Sequence, residues 1–212
     1  MNAMTLKRLL DITLAAAVLL ALSPLLIATV ICIVLEDGLP VFFTQKRAGQ
    51  NGREFDILKF RSMRVNTEAA ETMGTVTGSH PLVTRTGRFI RRFKIDELPQ
   101  LINVLKGDLS LVGPRPTLLA QVQQYSDFER RRIKMKPGMT GWAQVNGNIS
   151  LPWEERIALD VWYVENWSLT LDMEILLRTV GVVLFGETPN RRALEEATAY
   201  AHKLEHRTHR SG

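Results

Sequence analysis

Residues 91–116 read RRFKIDELPQLINVLKGDLSLVGPRP, and this stretch decides much of the fold. Apolar side chains recur there at the spacing of one face of an α-helix, at Leu98, Leu101, Ile102 and Leu105. The pattern predicts a helix with Asp96 as its N-cap, because aspartate is a preferred capping residue. Pro99 is tolerated in the first turn, where its missing N–H costs nothing, and Gly107 predicts the end of the helix.

Two adjacent carboxylates, Asp96 and Glu97, thus stand at a predicted helix start, with arginines before them and a Gly-Pro-Arg-Pro turn after the helix. Free backbone N–H groups and the helix dipole make this position electropositive, which keeps Asp96 ionised and attracts a phosphate. Two anions would repel each other there, so a divalent cation is the natural third member. The alternative is that Asp96 only caps the helix and Glu97 only complements its dipole, and the pair by itself leaves both open.

The composition limits the classes of partner. The chain has 212 residues, a formal net charge of +5 and a pI of about 9.6, which suits one domain with a real core plus an accessory segment. The basic balance favours an anionic partner: a phosphate compound, a nucleic acid or an anionic membrane surface. Cys32 is the single cysteine, so no disulfide framework points to an oxidising compartment.

A long apolar segment lies near the N-terminus. Residues 12–35 contain no charged side chain, which is long enough for a transmembrane helix and fits a signal peptide poorly. Ser23 and Pro24 interrupt its middle, where proline bends a helix. Basic residues flank both ends, and basic flanks prefer the cytoplasm. A sharp bend gives a re-entrant hairpin and a mild kink gives an ordinary span, and both interpretations remain open at this point.

The following region predicts two short strands, over residues 39–43 and 55–60, with a basic turn over 45–52. Three cations in the run KFRSMR, residues 59–64, line either a phosphate pocket or a solvated face. Residues 66–84 are rich in Thr, Gly, Ser and Glu, which predicts a loop and a candidate lid over the site.

Helices are predicted for much of the remainder. Residues 117–136 suggest a helix whose basic end, 130–134, lies on anionic lipid head groups. One helical face suits a membrane interface and core packing about equally, and it comprises Leu159, Trp162, Tyr163 and Trp167. Residues 169–185 predict an interfacial or packed helix. Residues 189–212 predict a polar helical tail whose weak apolar stripe either docks or forms a homodimer.

Several motifs follow one another in a fixed order: a Ser-Pro-broken apolar N-terminus, QKRAGQNG, KFRSM, KIDELPQLINVLKGDLSLVGPRP, KPGMTGWAQVNG and LDVWYVENWSLTLD. With this combination the chain closely resembles the polyprenyl-phosphate hexose-1-phosphate transferases, the small monotopic phosphoglycosyl transferases of bacterial surface-glycan assembly. The resemblance covers about residues 7–185, and the tail is less characteristic.

The resemblance implies transfer of a sugar 1-phosphate from a nucleotide sugar, usually a UDP-sugar, to undecaprenyl phosphate. UMP and a polyprenyl diphosphate sugar are the implied products. The family's Asp-Glu dyad matches Asp96 and Glu97. By that match Asp96 is the nucleophile, forms a phosphosugar-aspartyl intermediate and binds Mg²⁺, the expected cofactor. Glu97 would position the metal or assist proton transfer.

Further site residues are carried over from matching motifs. The Gly-Pro-Arg-Pro turn makes Arg115, between Pro114 and Pro116, the expected clamp on the donor phosphates, because guanidinium binds phosphate oxygens bidentately. Lys59 and Arg61 match the family's Lys-Phe-Arg motif and are expected to support the same site.

Three more positions concern the substrates. Arg91 matches a family arginine ahead of the dyad and is expected at the lipid phosphate. Asn148 belongs to the expected nucleotide-binding set but stands where many relatives have arginine, so donor affinity or choice is expected to differ. Lys94 also departs from the family pattern; this extra cation either strengthens anion binding or is solvated, and we expect it to be solvated.

The resemblance gives an irregular, helix-rich α/β fold in three parts. Ser23 and Pro24 match the family's helix-breaking pair, which favours a re-entrant membrane hairpin over residues 1–37. A small cytosolic catalytic domain with interfacial helices is expected over 38–188, followed by the tail. The expected location is the cytoplasmic face of the inner membrane, in contact with membrane lipid and without nucleic acid. Two competing hypotheses are a membrane-tethered nucleic-acid binder, suggested by the pI, and a non-catalytic scaffold of the same fold.

Overall fold

The computed structural model describes residues 2–64 and 81–210, with helix side chains up to residue 204. Within these ranges the fold is helix-rich with two small sheets, which confirms the predicted irregular α/β class. The helices and strands follow in the order α1 (Ala3–Ala21), α2 (Ser23–Asp37), β1 (Phe42–Ala48), β2 (Glu54–Phe60), α3 (Arg85–Arg92), α4 (Gln100–Lys106), β3 (Ser110–Val112), α5 (Leu119–Gln123), β4 (Gly138–Thr140), α6 (Trp142–Val145), α7 (Trp153–Glu165), α8 (Leu169–Phe185) and α9 (Arg191–Arg210).

The first two helices meet at a sharp bend. The predicted break at Ser23 and Pro24 is present, and the axes of α1 and α2 differ in direction by 61°. Pro24 has no N–H to donate to the Leu20 carbonyl, and Ser23 Oγ donates to that carbonyl instead, at 2.8 Å. In the described part of the chain no single helix is long and apolar enough to cross a bilayer, whereas the bent pair meets both criteria together.

Polar contacts tie α1 to the rest of the molecule. Arg8 donates to two carbonyls in the last turn of α4, at 2.6 and 2.9 Å. Carbonyls there lack intrahelical partners, so Arg8 caps that helix. Asp11 is buried and accepts bonds from Ser110 Oγ at 2.8 Å and from the Leu111 N–H at 3.0 Å. The N-terminal helix therefore braces both ends of the segment between α4 and β3.

The first sheet is an antiparallel pair in which Phe42 faces Phe60 and Ala48 faces Glu54. β2 agrees closely with the predicted strand, but the turn predicted over residues 45–52 is wrong in its first half, which continues β1. The basic composition suggested a turn, whereas Lys46 pairs across the strands with Glu54 and so extends the ladder. The second sheet joins β3 and β4 in parallel.

Asn103 holds α4 against the first sheet. Its Oδ1 accepts a bond from the Leu58 N–H at 3.0 Å, and its Nδ2 donates to the Asp56 carbonyl at 2.8 Å. Both backbone groups belong to β2, so one amide side chain takes the place of a neighbouring strand. The contact sets the distance between β2 and the segment that contains the Asp-Glu pair.

The largest core cluster joins α6, α7, α8 and α9. Tyr163 and Leu159 are fully buried in it, and Trp162 packs against it, so the aromatic face of α7 belongs to the core. The tail helix contributes Ala193 and Ala197 to the same cluster. The apolar stripe predicted for the tail therefore docks within the chain.

Two predicted segments differ from expectation. The continuous helix over 117–136 is wrong, because α5 covers only part of it and a separate 3-10 helix follows at Glu129–Lys134. Tyr125 lies between them and turns inward to bond with the Thr117 hydroxyl, which ends α5. Residues 66–80 of the candidate lid lie outside the described residues. Its last residue, Thr84, caps α3 by accepting a bond from the Gly87 N–H at 2.8 Å.

Candidate active site

The two carboxylates lie in a 3-10 helix, Ile95–Glu97, between α3 and α4. The prediction that Asp96 caps the following helix is wrong, because Pro99 occupies the N-cap position of α4 and no side chain caps it. Lys94 has a φ of +57°, and this left-handed residue makes the tight turn that leads from α3 to the pair. The pair is thus presented by a short turn braced by a helix on each side.

Glu97 accepts hydrogen bonds from two cations. Its Oε1 accepts bonds from Lys59 Nζ at 2.7 Å and from an Arg115 guanidinium nitrogen at 3.1 Å. Burial alone would raise the pKa of this carboxyl, but the charges and hydrogen bonds of Arg115 and Lys59 outweigh burial and hold the pKa well below its usual range. Glu97 therefore stays ionised and fixes both cations beside Asp96.

Asp96 differs from its neighbour in having no hydrogen-bond partner among the described residues, although it is only 9% exposed. Burial and then the charge of Glu97 raise the pKa of Asp96 to about 6, against the opposing charges of Lys59, Arg91 and Lys94. At neutral pH the group is largely ionised yet unbonded. A carboxylate in this state is available as a nucleophile or a metal ligand.

Arg115 is carried by a rigid turn. A Cβ atom at Gly113 would collide with the Lys136 carbonyl, so glycine is required for the close approach of the two chain segments. The Gly113 N–H donates to the Thr140 carbonyl at 2.9 Å, and the Gly138 N–H donates to the Pro114 carbonyl at the same distance. The turn residues Pro114, Arg115 and Pro116 also line a small surface pocket.

Arg132 holds the turn that carries Arg115 in place, and this role was not predicted from the sequence. Its guanidinium donates to the Arg115 carbonyl at 3.0 Å, to Tyr125 at 2.7 Å and to the buried carboxylate of Asp160. The guanidinium carbon also lies 5.5 Å from the centre of the Trp153 ring. The prediction that this part of the basic run rests on lipid is wrong for Arg132, whose side chain is buried.

The two other arginines predicted for the site, Arg91 and Arg61, have different surroundings. Arg91 donates through Nε to Ser62 Oγ at 2.8 Å, and its charge lowers the pKa of Asp96. Arg61 is buried and donates to the carbonyls of Asp37 and Gly38, at 2.8 and 2.7 Å. Its side chain therefore caps the C-terminal end of α2. Its contacts do not include Asp96 or Glu97, and its part in donor binding stays a prediction.

The Asn148 side chain contacts the carboxylate of Glu187, a residue that was not predicted to belong to the site. Asn148 is buried with a φ of +44°, and its Nδ2 donates to Glu187 Oε1 at 2.8 Å. Lys94 Nζ lies 3.4 Å from the same oxygen. The two departures from the family pattern, Lys94 and Asn148, thus meet at one residue. Nothing in the local sequence around Glu187 marks it as part of this site.

The described residues contain no cluster of three or more His, Cys, Asp or Glu side chains able to hold a metal ion. Magnesium does not need such a cluster, since it is usually held by one or two carboxylates together with water and substrate phosphates. Oε1 of Glu97 is bonded to two cations, whereas neither oxygen of Asp96 has a hydrogen-bond partner among the described residues. Asp96 is therefore the residue that fits this mode of binding.

A carboxylate with no hydrogen-bond partner among the described residues, beside a cation-bound one and with arginine and lysine around both, is an arrangement suited to binding and attacking a phosphate group. Comparison with known protein families gives a more specific assignment. The family model described as "Bacterial sugar transferase" matches residues 2–186, and the chain belongs to this family. The resemblance stated from the motifs is thereby confirmed.

Individual relatives of similar sequence also have names of sugar transferases or phosphotransferases. The chain is 48% identical over 184 residues to "Uncharacterized sugar transferase EpsL" of Bacillus subtilis, covering 87% of this chain and 90% of the relative. It is 42% identical over 183 residues to "UDP-glucose:undecaprenyl-phosphate glucose-1-phosphate transferase" of Escherichia coli, covering 82% of this chain and 39% of the relative. It is 40% identical over 195 residues to "Undecaprenyl-phosphate galactose phosphotransferase" of Salmonella typhimurium, covering 84% and 40%. The chain thus spans about two fifths of the last two relatives.

Proposed function

We propose that this chain transfers a sugar 1-phosphate from a UDP-sugar to undecaprenyl phosphate, giving a polyprenyl diphosphate sugar and UMP. The observation that carries the proposal is the contrast within the pair: Asp96 is unbonded among the described residues, while Glu97 is held by Lys59 and Arg115. Relatives of similar sequence have names that describe this reaction. The product would begin the assembly of a surface polysaccharide or glycoconjugate.

In the first step a carboxylate oxygen of Asp96 attacks the phosphorus that carries the sugar. The new oxygen–phosphorus bond forms as the bond from that phosphorus to the bridging oxygen breaks, and UMP leaves with the electron pair. The sugar phosphate remains on Asp96 as an acyl phosphate. No proton has to be removed from the nucleophile, because Asp96 is largely ionised at neutral pH.

In the second step a phosphate oxygen of undecaprenyl phosphate attacks the same phosphorus. The bond to Asp96 breaks, the free carboxylate is restored, and the lipid carries the diphosphate sugar. Arg115 is suited to both steps, because one guanidinium nitrogen bonds Glu97 while its half-exposed side chain keeps further N–H groups for phosphate. Arg91, whose charge also acts on Asp96, is the candidate for the lipid phosphate.

Mg²⁺ is the proposed cofactor, with Asp96 as its protein ligand. When bound it would shield the diphosphate charge from the attacking carboxylate. Lys59 and Arg115 supply positive charge on the Glu97 side of the pair. The remaining charge of the diphosphate is thus met by side chains already fixed in position.

We propose that the protein is monotopic in the inner membrane, with the catalytic part on the cytoplasmic face. The supporting observations are the bent α1–α2 pair and the large apolar side chains exposed on two helices. Leu35 of α2 is 82% exposed, and Leu177 and Phe185 of α8 are 73% and 87% exposed. Flotation with liposomes tests this placement, and a monodisperse protein in detergent-free buffer at high salt would contradict it.

The reaction is tested by UMP release from a panel of UDP-hexoses with Mg²⁺ and undecaprenyl phosphate. We expect release by the wild type and none by Asp96→Asn, whereas the exposed control Asp127→Asn retains it. Without lipid acceptor, a donor labelled in the phosphate next to the sugar should label the protein, and hydroxylamine should remove an acyl-phosphate label. EDTA should stop the reaction.

Two results would contradict the proposal. UMP release by folded Asp96→Asn protein would refute the nucleophile. Failure of the lipid-embedded wild type to act on any donor would refute the transferase activity, and nucleic-acid binding with steep salt dependence would then favour the tethered binder.

A further inference from the structure

Glu187 brings together three separate parts of the site. It follows Gly186, which ends α8. Its Oε1 accepts a bond from Asn148 Nδ2 at 2.8 Å and lies 3.4 Å from Lys94 Nζ. Only 16% of its side chain is exposed. A single carboxylate thus connects the end of α8 with the loop after α6 and with the turn that presents Asp96.

The backbone on both sides of Glu187 is anchored. The Gly186 N–H donates to the Val182 carbonyl at 2.9 Å, and the Asn190 N–H donates to the Asn146 carbonyl at 3.1 Å. The Asn146 residue is fully buried, and its Oδ1 accepts a bond from Arg178 at 3.1 Å. Glu187 is therefore held in place by the fold.

Glu187 lies within electrostatic range of the proposed phosphate clamp. The charge of Glu97 raises the pKa of Arg115, and Glu187 adds to that rise. On its other side Glu187 meets Lys94, whose charge in turn lowers the pKa of Asp96. Glu187 thus lies close to Arg115 and Lys94, and it is a separate carboxylate from the Asp96–Glu97 pair.

The unused hydrogen-bonding atoms of this group indicate its ligand. Both contacts of Glu187 go to Oε1, and among the described residues neither Glu187 Oε2 nor Asn148 Oδ1 has a hydrogen-bond partner. A phosphate would be repelled by the carboxylate. A sugar hydroxyl is neutral and can donate to these two oxygens. In the proposed donor the sugar is bonded directly to the phosphate that Asp96 attacks, so its hydroxyls fall in this neighbourhood.

Resting on the proposed function, we propose that Glu187, with Asn148, binds hydroxyl groups of the donor's hexose and is a specificity-determining residue. A site built to bond a substrate hydroxyl discriminates strongly against an analogue that lacks it, because its own polar atoms are then left unpaired. The choice of sugar is thus made partly by a residue between α8 and the tail helix.

The test compares kcat/KM for the best UDP-hexose of the panel with that for its monodeoxy analogues. We expect at least one deoxy analogue to be about 10- to 100-fold poorer for the wild type. Glu187→Ala should lower kcat/KM for the parent donor by about 10-fold or more and add little further loss for that analogue. Glu187→Gln keeps an acceptor oxygen and should recover part of the activity. The exposed control Glu195→Ala should match the wild type for every donor.

The outcomes separate this inference from the proposed function. Equal losses for the parent and all deoxy donors, or no loss at all, would overturn the role of Glu187 while leaving the transferase proposal intact. Absence of UMP release by the wild type from every donor would overturn both. Unchanged unfolding curves for the two Glu187 variants establish that the kinetic differences arise in a folded protein.

Discussion

Lys7 of α1 and Asp172 of α8 form a buried ion pair, with 2.7 Å between Nζ and Oδ2 and 165 positions between them in sequence. Lys7 also donates to the Val112 carbonyl at 3.0 Å, and the Tyr163 hydroxyl donates to Asp172 Oδ1 at 2.6 Å. Val112 immediately precedes the turn that carries Arg115. The N-terminal helix is thus a structural part of the region that contains the site.

We expect Lys7→Met to lower the free energy of unfolding by about 3 kcal/mol, because removing one partner leaves a buried charge uncompensated. Tyr163 and Trp167 still donate to Asp172, which keeps the loss near the lower end of the usual range. Denaturant unfolding in one fixed detergent measures the change.

The matched control for this prediction is Lys46→Met. Its ion pair with Glu54 is exposed to solvent, so we expect a much smaller change in the free energy of unfolding than for Lys7→Met. Equal effects of the two substitutions would show that burial of the Lys7 pair has no energetic consequence.

Features with a local cause were predictable from the sequence. The break at Ser23 and Pro24 follows from the missing N–H, and the bounds of α8 agree with the predicted segment 169–185. Gly107 ends α4 with a φ of +94°, a conformation that favours glycine. The presence of Lys59 and Arg115 beside the Asp96–Glu97 pair was also predictable in kind, since the matching family motifs contain these residues.

Features that depend on distant partners were not predictable. Arg132 belongs to a basic run that reads as a solvated or lipid-facing surface, and only the fold brings Asp160 to it. Glu187 lies 39 positions from Asn148 and 93 positions from Lys94. Periodicity and capping rules describe neighbours along the chain, so they carry no information on such contacts.

Arg132→Met should damage both stability and activity. It removes the donor to the Arg115 carbonyl and leaves the buried carboxylate of Asp160 without its partner, which should cost about 3–5 kcal/mol. Because the turn that carries Arg115 loses its support, we also expect kcat to fall in the fraction that remains folded.

Activity of Arg132→Met is measured at a temperature where unfolding curves show the variant to be folded. Arg131→Met serves as the control, since the Arg131 pair with Glu165 is partly exposed and does not touch the turn. Full activity of folded Arg132→Met would contradict the supporting role.

Arg115→Lys tests the phosphate clamp while keeping the charge. Lysine can still pair with Glu97, but it cannot form a planar bidentate contact with phosphate. We expect kcat/KM for UMP release to fall about 100-fold, equivalent to about 2.7 kcal/mol of transition-state stabilisation. Arg131→Lys is the matched control, with an ion pair of the same 3.1 Å length. A loss of less than about threefold for Arg115→Lys would count against bidentate binding.

The pH dependence of Asp96 follows from its surroundings. Burial and the charge of Glu97 raise its pKa to about 6 from an ordinary value of 3.8, so the folded protein binds this proton more tightly than the unfolded chain does. The resulting stabilisation is fully present below about pH 3.8 and is lost as the pH rises through about 6. We expect activity to have the opposite dependence, because the proposed nucleophile must be ionised, and to fall as the pH drops below about 6.

Carboxyl carbon NMR on protein kept metal-free with EDTA measures the Asp96 pKa directly. Glu97→Gln removes the charge that raises this pKa and leaves Lys59 and Arg115 uncompensated, so the Asp96 pKa should move down. Glu195→Gln, on the exposed face of α9, should leave it unchanged. A wild-type value at or below 3.8 would mean that Asp96 is already paired, and the contrast with Glu97 on which the nucleophile assignment rests would then be lost.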